Sequence, residues 1–294
     1  MSSSTKLSLH QVAEILSTNK YVATSDIETA VYLALNLEKP LLVEGEPGCG
    51  KTELAKVLAS GLGTSLIRLQ CYEGLDANHA LYEWDYLRQL LKIKIDESKR
   101  SAEEIEAGVY SDKYLLRRPL LEALLADGPI TPVLLIDELD RADEEFEGFL
   151  LEFLAEYQVT IPEYGTVKAK RKPITILTSN RTRELGDGLK RRCLYLYLSY
   201  PSLEKELEIL MMKVPDIGER LANQIVSFTY HVRRFDDIAK KPGVAETLDW
   251  ASALLLLEKE TLDTKTLEQT VSCIIKGNDD IEKLRGRKID ELIG

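Results

Sequence analysis

The chain has few of the residues that mark a metal centre, a disulfide framework or a membrane span. Four cysteines, Cys49, Cys71, Cys193 and Cys273, are scattered over 294 residues with no C-x-x-C spacing, which excludes a zinc ribbon and offers no short frame for disulfides. The three histidines, His10, His79 and His231, lie far apart, and no thiol or carboxylate stands beside them at ligand spacing. The longest apolar run, near Leu254, is far too short to span a bilayer, and the first twenty residues lack the apolar core of a signal peptide. These absences lead to the expectation of a soluble, cytoplasmic chain in a reduced compartment, with no membrane partner. Positive charge is also in short supply. Lys and Arg number 38 against 49 Asp and Glu, a net charge of -11 at pH 7, which argues against nucleic acid as a partner unless a local basic stripe overrides it. The one candidate stripe, "KAKRK" from Lys168 to Lys172, reads as the solvated edge of a hairpin.

What is present is concentrated in a few short stretches. "GEPGCGKT", comprising Gly45, Glu46, Pro47, Gly48, Cys49, Gly50, Lys51 and Thr52, fits G-x-x-x-x-G-K-[ST] at every specified position. It follows the β-prone run "PLLV" and precedes Leu54, Val57, Leu58 and Leu62 at helical spacing, so the strand-loop-helix context of a P-loop is complete. Such a loop turns successive N–H groups inward around phosphate oxygens, aided by the helix N-terminus. Lys51 would reach the β- and γ-phosphates of a nucleoside triphosphate and Thr52 would hold Mg²⁺. A second stretch, "LLIDE", is a continuous apolar run ending in two carboxylates, as expected of a parallel strand buried on both faces. Asp137 is placed to bind the Mg²⁺ water shell, and Glu138 to orient and deprotonate an attacking water, which favours a working ATPase over a slow switch. "ITILTSN" ends in Asn180, a candidate for the γ-phosphate or the attacking water. A short helix then closes on Lys190, Arg191 and Arg192. Cations suit a helix C-terminus in any case, or one of these arginines is a finger offered to a neighbouring subunit.

Strands alternating with helices point to an α/β layer with a parallel sheet. Helices are expected over 8–17 and 25–36, and a half-buried strand over 65–70. Residues 71–116 read as a mostly helical, charged insertion. A hairpin is expected over 159–168, with its turn at Tyr164 and Gly165. Beyond Pro201 the texture changes to helices alone, over 202–213, 216–232, 247–258 and 264–275, with a charged tail over 277–294. The chain therefore divides into 1–200, an α/β nucleotide-binding domain, and 201–294, a small all-helical domain.

In this order, the P-loop, the acidic strand end, Asn180 and the arginine pair, followed by an all-helical piece, resemble the AAA+ ATPases over nearly the whole chain. "LLIDELDRAD", "FLLEFLAEYQVTIPEYG" and the insertion are similar to the MoxR family. "LTSNRTRELGDGLKRRCLYLYLSYP" and "KPGVAETLDWASAL" resemble its CoxD branch, accessory to the maturation of carbon monoxide dehydrogenase. The resemblance implies a P-loop fold with a five-stranded parallel sheet and a helical lid. It implies a ring, usually a hexamer, with ATP and Mg²⁺ at subunit interfaces. It makes Lys51 and Thr52 the Walker A pair, with Glu53 next to them, Asp137 and Glu138 the Walker B pair, and Asn180 sensor 1. Arg192 becomes the first choice of finger and Arg191 the second, and Tyr21 and Val22 line the adenine pocket. The insertion, over 71–95, and the hairpin, over 159–168, would touch a client or partner, commonly a von Willebrand factor A domain protein. The sequence departs from the pattern at the lid: Glu246 and Thr247 stand where a sensor 2 arginine is expected, leaving Arg233 or Arg234 as substitutes. The function this implies is an ATP-hydrolysing chaperone or remodeller of MoxR type. An assembly switch with negligible hydrolysis and a DNA-dependent motor are the alternatives.

Overall fold

The computed structural model describes residues 6–96, 108–285 and 287; residues 97–107 of the expected insertion, and 286 and 288–294 of the charged tail, lie outside the described residues. Two compact units emerge. One comprises Met1–Ile15, Ser25–Glu44 and Ala55–Leu196; the other comprises Leu16–Thr24, Gly45–Leu54 and Tyr197–Gly294, so the glycine loop belongs with the helical C-terminal part.

In chain order, helices α1 (Leu9–Thr18) and α2 (Ser25–Leu37) lead into β1 (Leu41–Gly45), and α3 (Lys51–Gly61) into β2 (Leu66–Gln70). The insertion holds α4 (Ala77–Leu81), β3 (Tyr82–Trp84), α5 (Tyr86–Asp96) and β4 (Leu115–Arg117). Then come α6 (Pro119–Leu125), β5 (Val133–Asp137), α7 (Glu144–Glu156), the hairpin β6 (Gln158–Ile161) and β7 (Gly165–Lys168), β8 (Ile174–Ser179), α8 (Asp187–Arg192) and β9 (Leu194–Leu198). The sheet runs β2-β5-β8-β1-β9. β5 pairs in parallel with β2 on one side and β8 on the other, and β8 pairs in parallel with β1. Every residue of β1 and β5 is buried, the signature of strands covered on both faces. Because these strands are parallel, Glu44, Gln70, Asp137 and Ser179 all stand at one edge, with Gln70 beside Asp137 and Glu44 beside Ser179 in register.

α7 is capped by Asp143, whose carboxylate accepts from the Phe146 N–H at 2.9 Å, and it drives Phe146, Leu150 and Phe153 into the core. Full burial of side chains of this size contributes roughly 1.5–3 kcal/mol each. The expected hairpin is present, with the Tyr164 N–H donating to the Ile161 carbonyl across its turn. The insertion differs from the expectation in one respect: β3 and β4 form a two-stranded antiparallel ribbon, which brings Trp84 beside Leu115. Three-residue strands carry too little periodicity to be read locally; their pairing comes from partners 35 positions apart, as in Tyr82 and Arg117. α5 leaves Leu87, Leu90, Leu91 and Ile95 exposed along one stripe.

The helical part of the second unit comprises α9 (Leu203–Lys213), α10 (Glu219–Arg233), α11 (Val244–Leu256), α12 (Thr264–Ile274) and α13 (Asn278–Arg285). Trp250 and Phe228 are at its centre, rings 5.3 Å apart. Through this core runs a buried polar cluster. Arg233 forms an ion pair with both oxygens of Glu206, donates from Nε to the Pro242 carbonyl at 2.6 Å, and lies over the Tyr200 ring at 4.6 Å. Thr247 Oγ1 donates to the same Glu206 at 2.8 Å. No helix among the described residues is long and apolar enough to cross a membrane.

Candidate functional site

Asp137 and Glu138 leave β5 where the strand gives way to a tight 3-10 turn, with Glu138 in the left-handed conformation (φ 55°, ψ 49°). The Asp137 side chain is 2% exposed, and its charge is met by neighbours on the flanking strands. From β8, Thr178 Oγ1 donates to Oδ1 at 2.5 Å; from β2, Arg68 donates to Oδ2 through Nε at 2.9 Å and Nη2 at 2.6 Å. Thr178 Oγ1 also accepts from the Glu138 N–H at 2.9 Å, so one hydroxyl orders both acidic residues. The Glu138 carboxylate accepts from Gln70 Nε2 at 3.0 Å and Arg141 Nη1 at 3.1 Å.

Asp140, buried on the far side of the turn, ties this edge to the end of β8. It accepts from the Asn180 N–H at 3.1 Å, the Thr182 N–H at 2.9 Å and Thr182 Oγ1 at 2.6 Å. Burial pushes its carboxyl up, but the hydrogen bonds from Thr182 and Asn180 outweigh burial and hold it below the ordinary range. Asn180 is thereby fixed through its backbone, and its side chain makes no hydrogen bond among the described residues. At the end of β1, buried Glu44 accepts from Tyr195 Oη at 3.0 Å and lies 3.9 Å from Arg181 Nε.

In the second unit the glycine loop wraps the lysine. Lys51, 7% exposed, donates from Nζ to the carbonyls of Gly45 at 2.8 Å and Glu46 at 2.7 Å, with Cys49 Sγ at 3.8 Å. Two of the glycines are required by space. A Cβ on Gly45 would stand 2.0 Å from the Leu198 carbonyl oxygen; one on Gly48 (φ 73°) would stand 2.8 Å from Gly243 Cα, where the Gly48 carbonyl accepts from the Val244 N–H at 2.9 Å. Glu246 is committed to the start of α11, accepting from the Gly243 N–H at 3.0 Å. Tyr21 lies against the loop beside Gly50, its hydroxyl raised by burial and by Cys49 and Glu53. Val22, next to it, is half-buried. Glu53 pairs with Lys213 at 3.0 Å. The Cys49 thiol is pushed up by burial, partly offset by Lys51. A cleft of ≈ 810 Å³ opens beside Glu46 and Pro47, lined also by Tyr200, Arg233, Lys240 and Lys276.

The structure thus gathers Asp137, Glu138 and Asn180 at one sheet edge, and Lys51, Thr52 and Tyr21 about one loop. Arg191 and Arg192 are exposed at the C-terminal end of α8; Arg192 donates to the Leu151 carbonyl, and Arg191 makes no ion pair among the described residues. Of the sensor 2 substitutes, Arg233 is spent on Glu206, and Arg234 donates to Tyr230 Oη at 2.8 Å. Sequence reasoning missed Arg68, Gln70, Thr178, Asp140 and Thr182. Arg68 and Gln70 had a readable signal, two polar residues at alternate positions of a short strand and hence on one face.

A mostly parallel sheet with the glycine loop directly after β1 and an acidic pair ending β5 is the P-loop nucleoside triphosphatase fold in its AAA+ form. Residues 40–193, just over half of the chain, match the AAA domain family, dynein-related subfamily, and the chain belongs to that family. Among solved structures it is similar to the Thermotoga maritima RuvB Holliday junction branch migration motor at 18% identity, covering 90% of this chain and 69% of that one with a TM-score of 0.45. It is also similar to a Cytophaga hutchinsonii protein assigned by inference as an ATPase, at 16% identity, covering 97% and 92% with a TM-score of 0.48.

Proposed function

We propose that this chain hydrolyses ATP and uses the cycle to remodel a partner or client protein, as a MoxR-type AAA+ chaperone of the enzyme-maturation kind. The observation that carries the hydrolytic reading is Glu138: a carboxylate one residue beyond a buried Asp137, oriented by Gln70 and Arg141 at the sheet edge. In this reading Gly45 to Glu53 hold the phosphates, and Tyr21 and Val22 meet the adenine. The Thr52 hydroxyl and Asp137 carboxylate supply the hard oxygen donors that suit Mg²⁺, which keeps several waters and needs few protein ligands. When bound, Mg²⁺ neutralises charge on the β- and γ-phosphates.

Glu138 takes a proton from the attacking water as its oxygen bonds to the γ-phosphorus and the bond to ADP breaks. Lys51 stabilises the charge on the transferred group. Asn180, fixed through Asp140, orients the water or the γ-phosphate, and Arg192, or Arg191 in its place, completes the site in a neighbouring subunit of a ring, with a hexamer as the expected order. The exposed stripe Leu87, Leu90, Leu91 and Ile95 on the insertion supports contact with a client or with a von Willebrand factor A domain partner.

Two variants test the reading. Glu138→Gln is expected to lower steady-state ATP turnover by about 10²-fold or more with nucleotide binding retained; unchanged turnover removes the general base, and negligible turnover in the unmodified chain favours the assembly switch. Specific activity is expected to rise with protein concentration, and Arg192→Ala to abolish that rise. Activity per chain that is flat with concentration and indifferent to Arg192→Ala and Arg191→Ala makes the site self-sufficient and ends the shared-site reading.

A further inference from the structure

We propose that Arg68 is a charge clamp on Asp137, standing in for the divalent cation when the cation is absent and yielding to it when it arrives. This rests on the nucleotide reading above and deepens it, for that reading gives Arg68 no part in the cycle. The Asp137 side chain is 2% exposed, so an unpartnered negative charge there would be costly. Arg68 meets that charge with two N–H groups on one oxygen, Nε at 2.9 Å and Nη2 at 2.6 Å from Oδ2, while Thr178 serves Oδ1. Two donors use both lone pairs of Oδ2. A cation, or a water from its shell, that addresses this oxygen has to displace at least one of them.

Arg68 is built to be displaced. Its backbone is fixed in β2 opposite Leu135 of β5, yet its side chain is 47% exposed, so the guanidinium can turn into water without opening the core. The same Nη2 also reaches Gln70 Oε1, and Gln70 Nε2 donates to Glu138 at 3.0 Å. The clamp therefore spans both acidic residues through alternate positions on one face of β2.

The consequence is measurable without turnover. With the clamp in place, nucleotide can bind without metal, because the charge of the buried carboxylate is already compensated by Arg68. Removing the guanidinium should weaken cation-free binding selectively. The test is equilibrium binding of a fluorescent N-methylanthraniloyl-ADP to the full chain, in excess EDTA and in saturating Mg²⁺, for the unmodified protein and for Arg68→Gln, Arg68→Lys and Asp137→Asn with and without Arg68→Gln. The ratio of the two dissociation constants is internal to each preparation, so partial misfolding does not mimic the effect. Arg68→Gln is expected to lose about tenfold in affinity in EDTA and less than threefold in Mg²⁺, raising the ratio several-fold, a coupling of ordinary size. Arg68→Lys is expected to keep the ratio near that of the unmodified chain, and Asp137→Asn to erase the effect of Arg68→Gln. Equal losses in both conditions make Arg68 a structural support and overturn the proposal, as does no change in either. If the unmodified chain binds the analogue in neither condition, the nucleotide reading itself fails.

Discussion

The glycine loop and the acidic strand end are held by different means. Lys51 is fixed by the main-chain carbonyls of Gly45 and Glu46, and the loop's path is fixed by positions where no Cβ fits. The end of β5 is fixed by side chains that come from elsewhere in the chain: Arg68 and Gln70 on β2, Thr178 on β8, and Thr182 beyond it. A loop made of main chain tolerates almost no change at its glycines. A strand end made of side-chain pairs loses its order one contact at a time.

The largest effect is therefore expected at a glycine. Gly45→Ala puts a methyl 2.0 Å from the Leu198 carbonyl oxygen, so main chain must move. We expect a loss of several kcal/mol, about 2–5 by analogy with other strained or overpacked sites, and undetectable nucleotide binding. Denaturant unfolding and nucleotide titration check this, and a variant of full stability and affinity would break the main-chain half of the comparison. An intermediate effect is expected for Thr178→Val, which keeps the shape and removes the hydroxyl shared by Asp137 and the Glu138 N–H. Leaving a buried carboxylate short of one donor costs about 1.5–3 kcal/mol, measurable as a shifted unfolding midpoint with an unchanged slope.

The smallest and most specific effect is expected from Asp140→Asn, as a pH dependence. Because its folded value is lowered, the carboxylate's contribution is fully present above the unfolded value near pH 4 and drains away as pH falls through the folded value. Asp140→Asn should therefore lower stability at pH 7 and narrow its gap to the unmodified chain as pH falls below about 4. A gap that stays constant from pH 7 to pH 3 would remove the charge from the account.

The same contrast governs what could be read before the fold was known. The loop was legible because glycine, lysine and threonine at fixed spacing leave one backbone path, and the strand before and helix after it are local patterns. The acidic pair was legible because a continuous apolar run ending in Asp-Glu is itself local. The order in which β8 lies between β1 and β5 places Asn180 next to the acidic edge. The partners of Asp137 were not legible, since Arg68 is 69 positions away and Thr178 is 41. The short ribbon of β3 and β4 was read as helix and irregular chain for the same reason. In the helical part, the basic residues near α11 were visible, but that Arg233 is consumed by Glu206, 27 positions earlier, required packing to decide.

By itself the sequence determined the class of this protein, because a phosphate-binding loop and a strand-terminal acidic pair are written in consecutive residues whose backbone conformations and burial follow from short-range sterics and periodicity. Only the tertiary structure decided which cation faces Asp137, which amide holds Glu138 and which arginine is locked inside the helical part. Those pairings are formed between strands and helices distant in sequence, where the energy of burying a charge selects its partner and no local rule does.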